Sequence, residues 1–267
     1  MHQPVGPLFS PALVGRLRAA RRVAVLTGAG ISAESGVPTF RDPEGLWQRF
    51  RPEELANVKA FLANPVLVQA WYAHRRAVVE DVAPNAGHRA LVALEAWVTA
   101  RGGEFLLATQ NVDGLHARAG SASLVELHGS LLRSYCIDCQ SAVDGAVAAG
   151  GPLTCEACGG LVRPDVVWFG EMLPEEAFGR AEQAAAMADV YLTVGTSALV
   201  YPAAGLPLLG RQVGAYVAEV NPTPSDIAGR LSEQVRGRAG DVLPALVAAL
   251  REESGIGSQE SGGDGRG

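Results

Sequence analysis

The sequence predicts a doubly wound α/β domain, a parallel sheet with helices on both faces, and three observations carry that reading. Short apolar runs recur along the 267 residues, as in strands buried on both sides. Segments of helical periodicity separate them. Polar, chemically capable clusters stand where the runs end, at Gly28–Ser32, Gln110–Asp113, His128, Gly195–Ser197 and Asn221. In an open parallel sheet the ligand crevice lies at the carboxyl ends of the strands, so these clusters should converge on one site.

Taken in order, Leu13, Leu17 and Ala20 give the apolar side of a leading helix, and Val23–Leu26 is the first strand. It stops at Thr27-Gly28-Ala29-Gly30, with a helix opening from Ile31. Pro52-Glu53-Glu54-Leu55 reads as a helix start with acids in its first turn. Asn64-Pro65 is another start, a capping residue followed by proline at the first helical position. The helix from Pro65 to about Glu80 carries Val68, Tyr72, Arg75 and Val79 on one face, with Leu67, Trp71 and Val78 as a second stripe. Asn85 caps the next helix, which buries Leu91, Leu94 and Val98 and ends at Gly102-Gly103. Phe105–Thr109, Leu124–Leu127, Val190–Val194 and Ala215–Val220 are further strands. Asp241 is expected to cap a last helix with Leu243, Leu246, Val247 and Leu250 inward. Residues 10–252 therefore form one domain with inserted segments at about 42–84 and 130–165, and the Gly/Ser-rich stretch 253–267 is expected to be a disordered tail.

Hydrophobic content of 48% with 19% charged residues is ordinary for a globular chain. A net charge of −6 gives no sign of a polynucleotide-binding surface. The first 22 residues hold Arg16, Arg18, Arg21 and Arg22 and no long apolar core, unlike a secretory signal. Asp189, Gly195, Pro202 and Pro207 interrupt the most apolar region, Ala184–Leu209, so it does not read as a membrane span. The expected setting is cytoplasmic, with no nucleic-acid or membrane partner.

Gly28, Gly30 and Ala33 fit the G-x-G-x-x-A turn that brings backbone N–H groups to a pyrophosphate, since a Cβ there would hold the phosphates away. That match alone is weak. A dehydrogenase would continue into a second strand and an acidic ribose partner about 20 positions on. Here Ser35-Gly36-Val37-Pro38-Thr39-Phe40-Arg41-Asp42 follows instead, which cannot be a regular helix or central strand and puts Arg41 near the phosphates. Cys136-x-x-Cys139 and Cys155-x-x-Cys158 have the spacing of a closed, structural zinc site; two disulfides conflict with the missing secretion signal. Among the histidines, His128 lies at a strand end facing the expected crevice, where an imidazole is a suitable base. His74 and His88 lie on helices where structural roles are expected, and His116 is expected to hold the Gln110 loop by hydrogen bonds.

The stretch Gly28–Arg41 meets every fixed position of G-A-G-x-S-x-x-S-G-x-P-x-F-R and closely resembles the nucleotide loop of the sirtuins, the NAD-dependent protein deacylases. The resemblance runs over about residues 10–250. It implies a Rossmann-like domain with a helical insert and a small zinc lobe, and NAD contacts at Gly28, Ala29, Gly30, Ser32, Thr39, Phe40, Arg41 and Trp47. It implies that Gln110, Asn111, Val112 and Asp113 meet the nicotinamide ribose and carboxamide, with Asp113 holding the amide. Gly195, Thr196 and Ser197 would meet phosphate and ribose, Asn221 the adenosine end, and Ala239 the adenine. Thr223 departs from the pattern, standing where many relatives have Glu.

His128 in Leu-His-Gly matches the family's general base, and the two cysteine pairs match the ligands of its zinc lobe. Phe169, Gly170 and Glu171, after Trp168, resemble the strip that pairs with the substrate backbone; read without the family, they are an edge strand. Tyr72-x-x-Arg75 resembles the acyl pocket of the branch that removes succinyl and malonyl groups, with Ala56 leaving room for the longer chain. Without the family, Arg75 reads as a snorkelling side chain or the partner of a carboxylate such as Glu53. The function implied is acyl transfer from lysine to ADP-ribose with release of nicotinamide, the acyl-amide oxygen attacking C1′ of the nicotinamide ribose. An NAD- or ADP-ribose-sensing module and an ADP-ribosyltransferase are the alternatives left open by sequence.

Overall fold

The computed structural model describes residues 8–38, 52–143 and 152–252. Its strands are β1 (Arg22–Thr27), β2 (Glu104–Thr109), β3 (Leu124–Glu126), β4 (Gly129–Cys136), β5 (Val162–Val166), β6 (Val190–Val194), β7 (Tyr216–Val220) and β8 (Glu233–Val235). Six of them form one parallel sheet in the order β3-β2-β1-β6-β7-β8, the doubly wound order, with its switch point between β1 and β6. The expected fold class is borne out.

The faces follow from the strand period of two. On β1, Val23 and Val25 enter one buried cluster, while Ala24 and Leu26 enter the other. The first cluster is covered by α1 (Pro11–Ala19), then α6 (Ala86–Thr99) and α10 (Ala239–Glu252). Leu13, Leu17, Leu91, Leu94, Val98, Leu243 and Leu246 are all buried there, each worth about 1.5–3 kcal/mol if fully transferred from water. The second cluster is covered by α8 (Glu175–Met187) and α9 (Leu206–Gln212) through Ala181, Ala185 and Leu206.

A smaller layer stands apart from the sheet. The short helices α3 (Pro52–Leu55) and α4 (Val58–Ala63) lead into α5 (Pro65–Asp81), and they pack on the antiparallel pair β4–β5. Leu55, Phe61, Val68, Trp71, Tyr72, Val79, Leu131, Val166 and Trp168 make its core. Asn64 caps α5 by accepting from Leu67 N (3.1 Å). Asn85 caps α6 by accepting from Gly87 N (2.9 Å), as its place before the helix implies.

Several local expectations need correction. The helix after the glycine turn, α2 (Ala29–Ala33), begins two residues earlier than expected and has only five residues. Leu67 is exposed, so the second stripe of α5 is buried chiefly through Trp71. Asp241 lies in the first turn of α10 and does not cap it, because the helix already starts at Ala239. Trp168–Glu171 form a turn after β5, not an edge strand. Among the described residues, no helix is long and apolar enough to cross a membrane.

The switch point depends on a contact without side chains. Gly195 has φ +61°, and a Cβ built there would collide with Ile31 N. Replacing it by alanine should cost about 2 kcal/mol or more, from the left-handed backbone and the displaced α2. Urea unfolding of Gly195→Ala checks this; an unchanged midpoint would show that the two loops part without cost.

Candidate active site and four-cysteine centre

At the carboxyl ends of β1, β2 and β6 the sequence clusters come together. Gly28 N donates to Val194 O (3.0 Å) and Gly30 N to Gly195 O (2.7 Å). A Cβ on Gly28 would lie 2.8 Å from Thr196 Cβ, and one on Gly30 2.7 Å from Gly195 O. The glycines are thus required first by the β6 loop, and their two amides are already engaged there. Thr39, Phe40, Arg41 and Trp47 lie outside the described residues, as does the tail 253–267.

Behind the glycine turn is a buried polar network. Ser32 Oγ donates to Asp113 Oδ2 (2.7 Å), and Asn111 Nδ2 donates to Ser32 Oγ and Gly28 O (3.1 Å each). Asp113 Oδ1 accepts from Leu115 N (2.9 Å). Burial pushes the Asp113 carboxyl up, against the Leu115 N–H and Ser32 hydroxyl that stabilise its anion. Val112 packs on the small-layer core and its carbonyl accepts from Leu131 N (2.8 Å), tying the loop to β4.

Two histidines that the sequence assigned to structure support this network. Asn85 N donates to His88 Nδ1 (3.3 Å), so the neutral ring carries its proton on Nε2, which faces Ser32 Oγ at 3.5 Å. On the short helix α7 (Leu115–Ala119), His116 Nε2 meets Thr27 Oγ1 (2.9 Å), which donates to Thr109 Oγ1 (2.8 Å); His116 holds the strand ends by hydrogen bonds, as expected. The two rings are 4.7 Å apart. Burial, and then a neighbouring cation or ring, lowers His88 to about 4 and His116 to about 3. The Asn85-x-x-His88 spacing, a capping box with histidine in place of Glu or Gln, was the signal available in the sequence for His88.

His128 is half-buried at the end of the β3 run. Its Nδ1 donates to Gln110 O (2.9 Å), because a carbonyl only accepts. The lone pair is therefore on Nε2, the tautomer a proton acceptor needs. Burial lowers its pKa, with the Gln110 carbonyl opposing. Gly129 has φ +75°, and a Cβ there would strike Asp165 O, which explains the glycine after His128. Gln110 Nε2 donates to Thr196 Oγ1 (3.1 Å), and Asn221 Nδ2 to Thr196 O (2.9 Å), so these three residues form one ledge from β2 to β7. Ser197 is half-buried next to it, Thr223 is exposed, and Ala239 is buried at the start of α10 beside Gly87.

The substrate-side candidates lie on the small layer. Tyr72 OH accepts from Trp168 Nε1 (2.8 Å), which leaves its own hydrogen to donate. Burial pushes Tyr72 up to about 12, with Arg75 opposing, so the hydroxyl stays protonated. The Arg75 guanidinium lies 4.9 Å from the Trp71 ring centre and 5.6 Å from that of Tyr72. Burial lowers its pKa, with Tyr72 opposing. The side chain of Glu53, its suggested partner, is outside the described ones. Ala56 is buried and its carbonyl accepts from Phe169 N (2.9 Å), joining two candidates directly. Phe169 and Gly170 are exposed, but Glu171 is engaged by Arg163 NH2 (2.8 Å) and Trp168 N (2.7 Å). Burial raises the Glu171 carboxyl, but those donors outweigh it and hold it low. Its carboxylate shapes the turn. Sequence reasoning missed Arg163, because a buried arginine in a short strand has no periodic signature.

The four cysteines converge with all Sγ atoms within 4.8 Å of one another and none in a disulfide. Cys136 Sγ is 3.4 Å from Cys158 Sγ, and Cys139 Sγ is 3.7 Å from Cys155 Sγ. A tetrahedral site with Zn–S near 2.3 Å has sulfur–sulfur edges of roughly 3.8 Å, so the set fits zinc. A Cβ on Gly160 would lie 2.8 Å from Cys136 Sγ, so the second cysteine turn closes only over glycine.

The Sir2 family matches residues 28–202. The NAD-dependent protein deacylase 2 of Pyrobaculum aerophilum is 52% identical over 237 residues, which is 88% of this chain and 93% of that protein. The chain belongs to the Sir2 family. A Sir2 homologue solved with NAD superposes with a TM-score of 0.86 at 43% identity, over 92% of this chain and 95% of that one. A Sir2 protein solved with a p53 peptide and NAD+ gives 0.77 at 29% identity, over 92% and 99%.

The depressed histidines make stability depend on pH. A group neutral in the fold and protonatable when unfolded favours folding above its unfolded pKa, near 6.5, and loses that contribution as pH falls towards the folded value. Lowering the pH from 7 to 4.5 should therefore reduce the urea midpoint. His116→Gln should flatten that slope; an equally steep slope would assign the acid sensitivity elsewhere.

Proposed function

We propose that this Sir2-family protein is an NAD-dependent protein-lysine deacylase that prefers succinyl- and malonyl-lysine to acetyl-lysine. The observation that carries the reaction is His128, held in the tautomer that leaves Nε2 as acceptor by Gln110 O, on the same loop whose Asn111 and Asp113 engage Ser32. The relatives named as deacylases and the family structures with NAD and peptide support the same reading. The polar set suits a dinucleotide: hydroxyls of Ser32 and Thr196, amides of Gln110, Asn111 and Asn221, and the accepting Asp113 carboxylate lie around a glycine turn that admits no Cβ.

When bound, NAD would supply an electrophilic ribose C1′ and nicotinamide as leaving group, the chemistry that acyl transfer from lysine to ADP-ribose needs. Asp113, oriented by Ser32 and the Leu115 amide, would accept from the nicotinamide carboxamide. Gln110 and Asn111 would hold the ribose. His128 Nε2 would accept the proton of a ribose hydroxyl. Gly28, Ala29 and Gly30 would meet the dinucleotide, with Gly195–Ser197, Asn221 and Ala239 towards its adenosine end; by the family pattern alone, Thr39, Phe40, Arg41 and Trp47 would contact it too. Phe169 and Gly170, whose turn Glu171 braces, would pair with an extended peptide through backbone groups other than Phe169 N, which Ala56 O already engages. The cysteines hold a structural zinc, a closed site that takes no part in the chemistry. Four reduced thiols suit a cytoplasmic setting, and the net charge of −6 speaks against nucleic acid as a partner.

Acyl selectivity is assigned to Tyr72 and Arg75. A charge-assisted hydrogen bond to the acyl carboxylate is worth about 1.5–3 kcal/mol, a preference of roughly ten- to hundred-fold. Arg75→Met should raise KM for a succinyl-lysine peptide by about that factor and affect an acetyl-lysine peptide far less. Equal loss on both, with a lower Tm, would make Arg75 a structural residue.

His128→Ala should lower kcat by about 10²–10⁴ while NAD affinity stays within a few-fold, since the imidazole moves a proton and does not hold the dinucleotide. Because burial lowers the His128 pKa, the acid limb of kcat/KM should fall below pH 6.5, with the rate flat above it. NAD binding lost in step with turnover would contradict the assignment. Nicotinamide release without any acyl peptide would favour a transferase or hydrolase instead.

A further inference from the structure

Gln69 is a neutral polar side chain only 3% exposed, on the same helix as Tyr72 and Arg75, and the proposed chemistry does not use it. Its Nε2 donates to Leu153 O (3.0 Å) and Val162 O (2.7 Å), and its Oε1 accepts from Leu153 N (2.7 Å). The side-chain amide thus pairs with both the N–H and the C=O of Leu153, as an adjoining strand would. Val162 N also donates to Leu153 O (3.0 Å), and Thr154 bridges Leu161, so these residues are the base of the clip whose tip carries Cys155 and Cys158. Two turns along α5, Arg76 Nε donates to Leu131 O (2.7 Å), on the strand that ends at Cys136. Tyr72 lies between these two mounts.

Arg76 NH2 also donates to Ser134 Oγ (2.7 Å) on the same strand, and beyond these bonds α5 packs on the layer through Val68, Trp71, Tyr72 and Val79. Apolar burial is non-directional and tolerates rotation of a helix about its axis. Hydrogen bonds of 2.7–3.0 Å made by a buried amide do not.

We propose that Gln69 is a positioning residue through which the folded four-cysteine lobe fixes the rotation of α5, and with it Tyr72 and Arg75. The part concerning acyl selectivity rests on the deacylase reading above. The coupling of lobe to helix does not.

The test is Gln69→Met in the full-length, zinc-loaded protein; it keeps the volume and removes all three hydrogen bonds. The ratio of kcat/KM for succinyl- over acetyl-lysine peptide should fall about tenfold, with KM for NAD changed less than about twofold. Zinc release to a chelator, followed with a colorimetric zinc probe, should accelerate about tenfold, as for other supports of metal ligands. An equal loss on both peptides overturns the positioning role, and unchanged zinc release overturns the link to the lobe. If the unmodified protein shows no succinyl preference, the acyl reading has failed, and zinc release with the exchange measurement decides the coupling. If Gln69→Met does not fold, hydrogen exchange of the unmodified protein decides. Chelation should then raise exchange in Pro65–Asp81 before Ala86–Thr99, and simultaneous or absent change overturns the proposal.

Discussion

The close approach of two loops at the switch point is the constraint on which the rest of the site depends. Gly28 and Gly30 meet Gly195 and Thr196 with no side chain between them, and two amide–carbonyl bonds fix the contact. This sets Ser32 on the first turn of α2, within reach of Asp113 at the end of β2. It also puts Thr196 between Gln110 and Asn221, so three strands present their polar ends on one ledge. A methyl group at any of these glycines would move the strand ends apart. The family's glycine pattern therefore records a packing requirement as well as room for a ligand.

Desolvation, more than charge pairing, sets the electrostatics of the site. His88, His116 and His128 are all lowered with burial as the largest cause, and Asp113 is raised for the same reason. What separates the roles is the second hydrogen bond of each ring. His88 Nδ1 receives a backbone N–H and turns its proton towards Ser32. His128 Nδ1 faces a carbonyl, which leaves the lone pair on Nε2. Identical residues become a support and a base through the polarity of one backbone group.

Much of this was legible in the sequence, because it rests on local signals. Strands such as Val190–Val194, buried along their whole length, read as unbroken apolar runs, and Asn64 and Asn85 announced their helices. The convergence at strand ends followed from topology alone. β8 was not legible, since Glu233 and Gln234 lie on an edge strand and only Val235 is buried. β4 and β5 escaped because a bulge between Ser130 and Ser134 breaks their register and Pro164 interrupts the donors. Gln69, Arg163 and the tautomers of the histidines depend on contacts across distant segments, to which no periodicity points. The four thiols were visible from spacing, but their mounting on α5 was not.

The division into a sheet layer and a small layer has an evolutionary consequence. The groups assigned to proton transfer and dinucleotide contact come from strand ends of the sheet, while Ala56, Tyr72 and Arg75 come from the small layer with its own core. In the proposed reading, a mutation on α5 alters which acyl group is accepted without moving His128 or the glycine contact. Substrate range can then drift through single substitutions in a lineage while the costly, cofactor-consuming reaction is inherited unchanged.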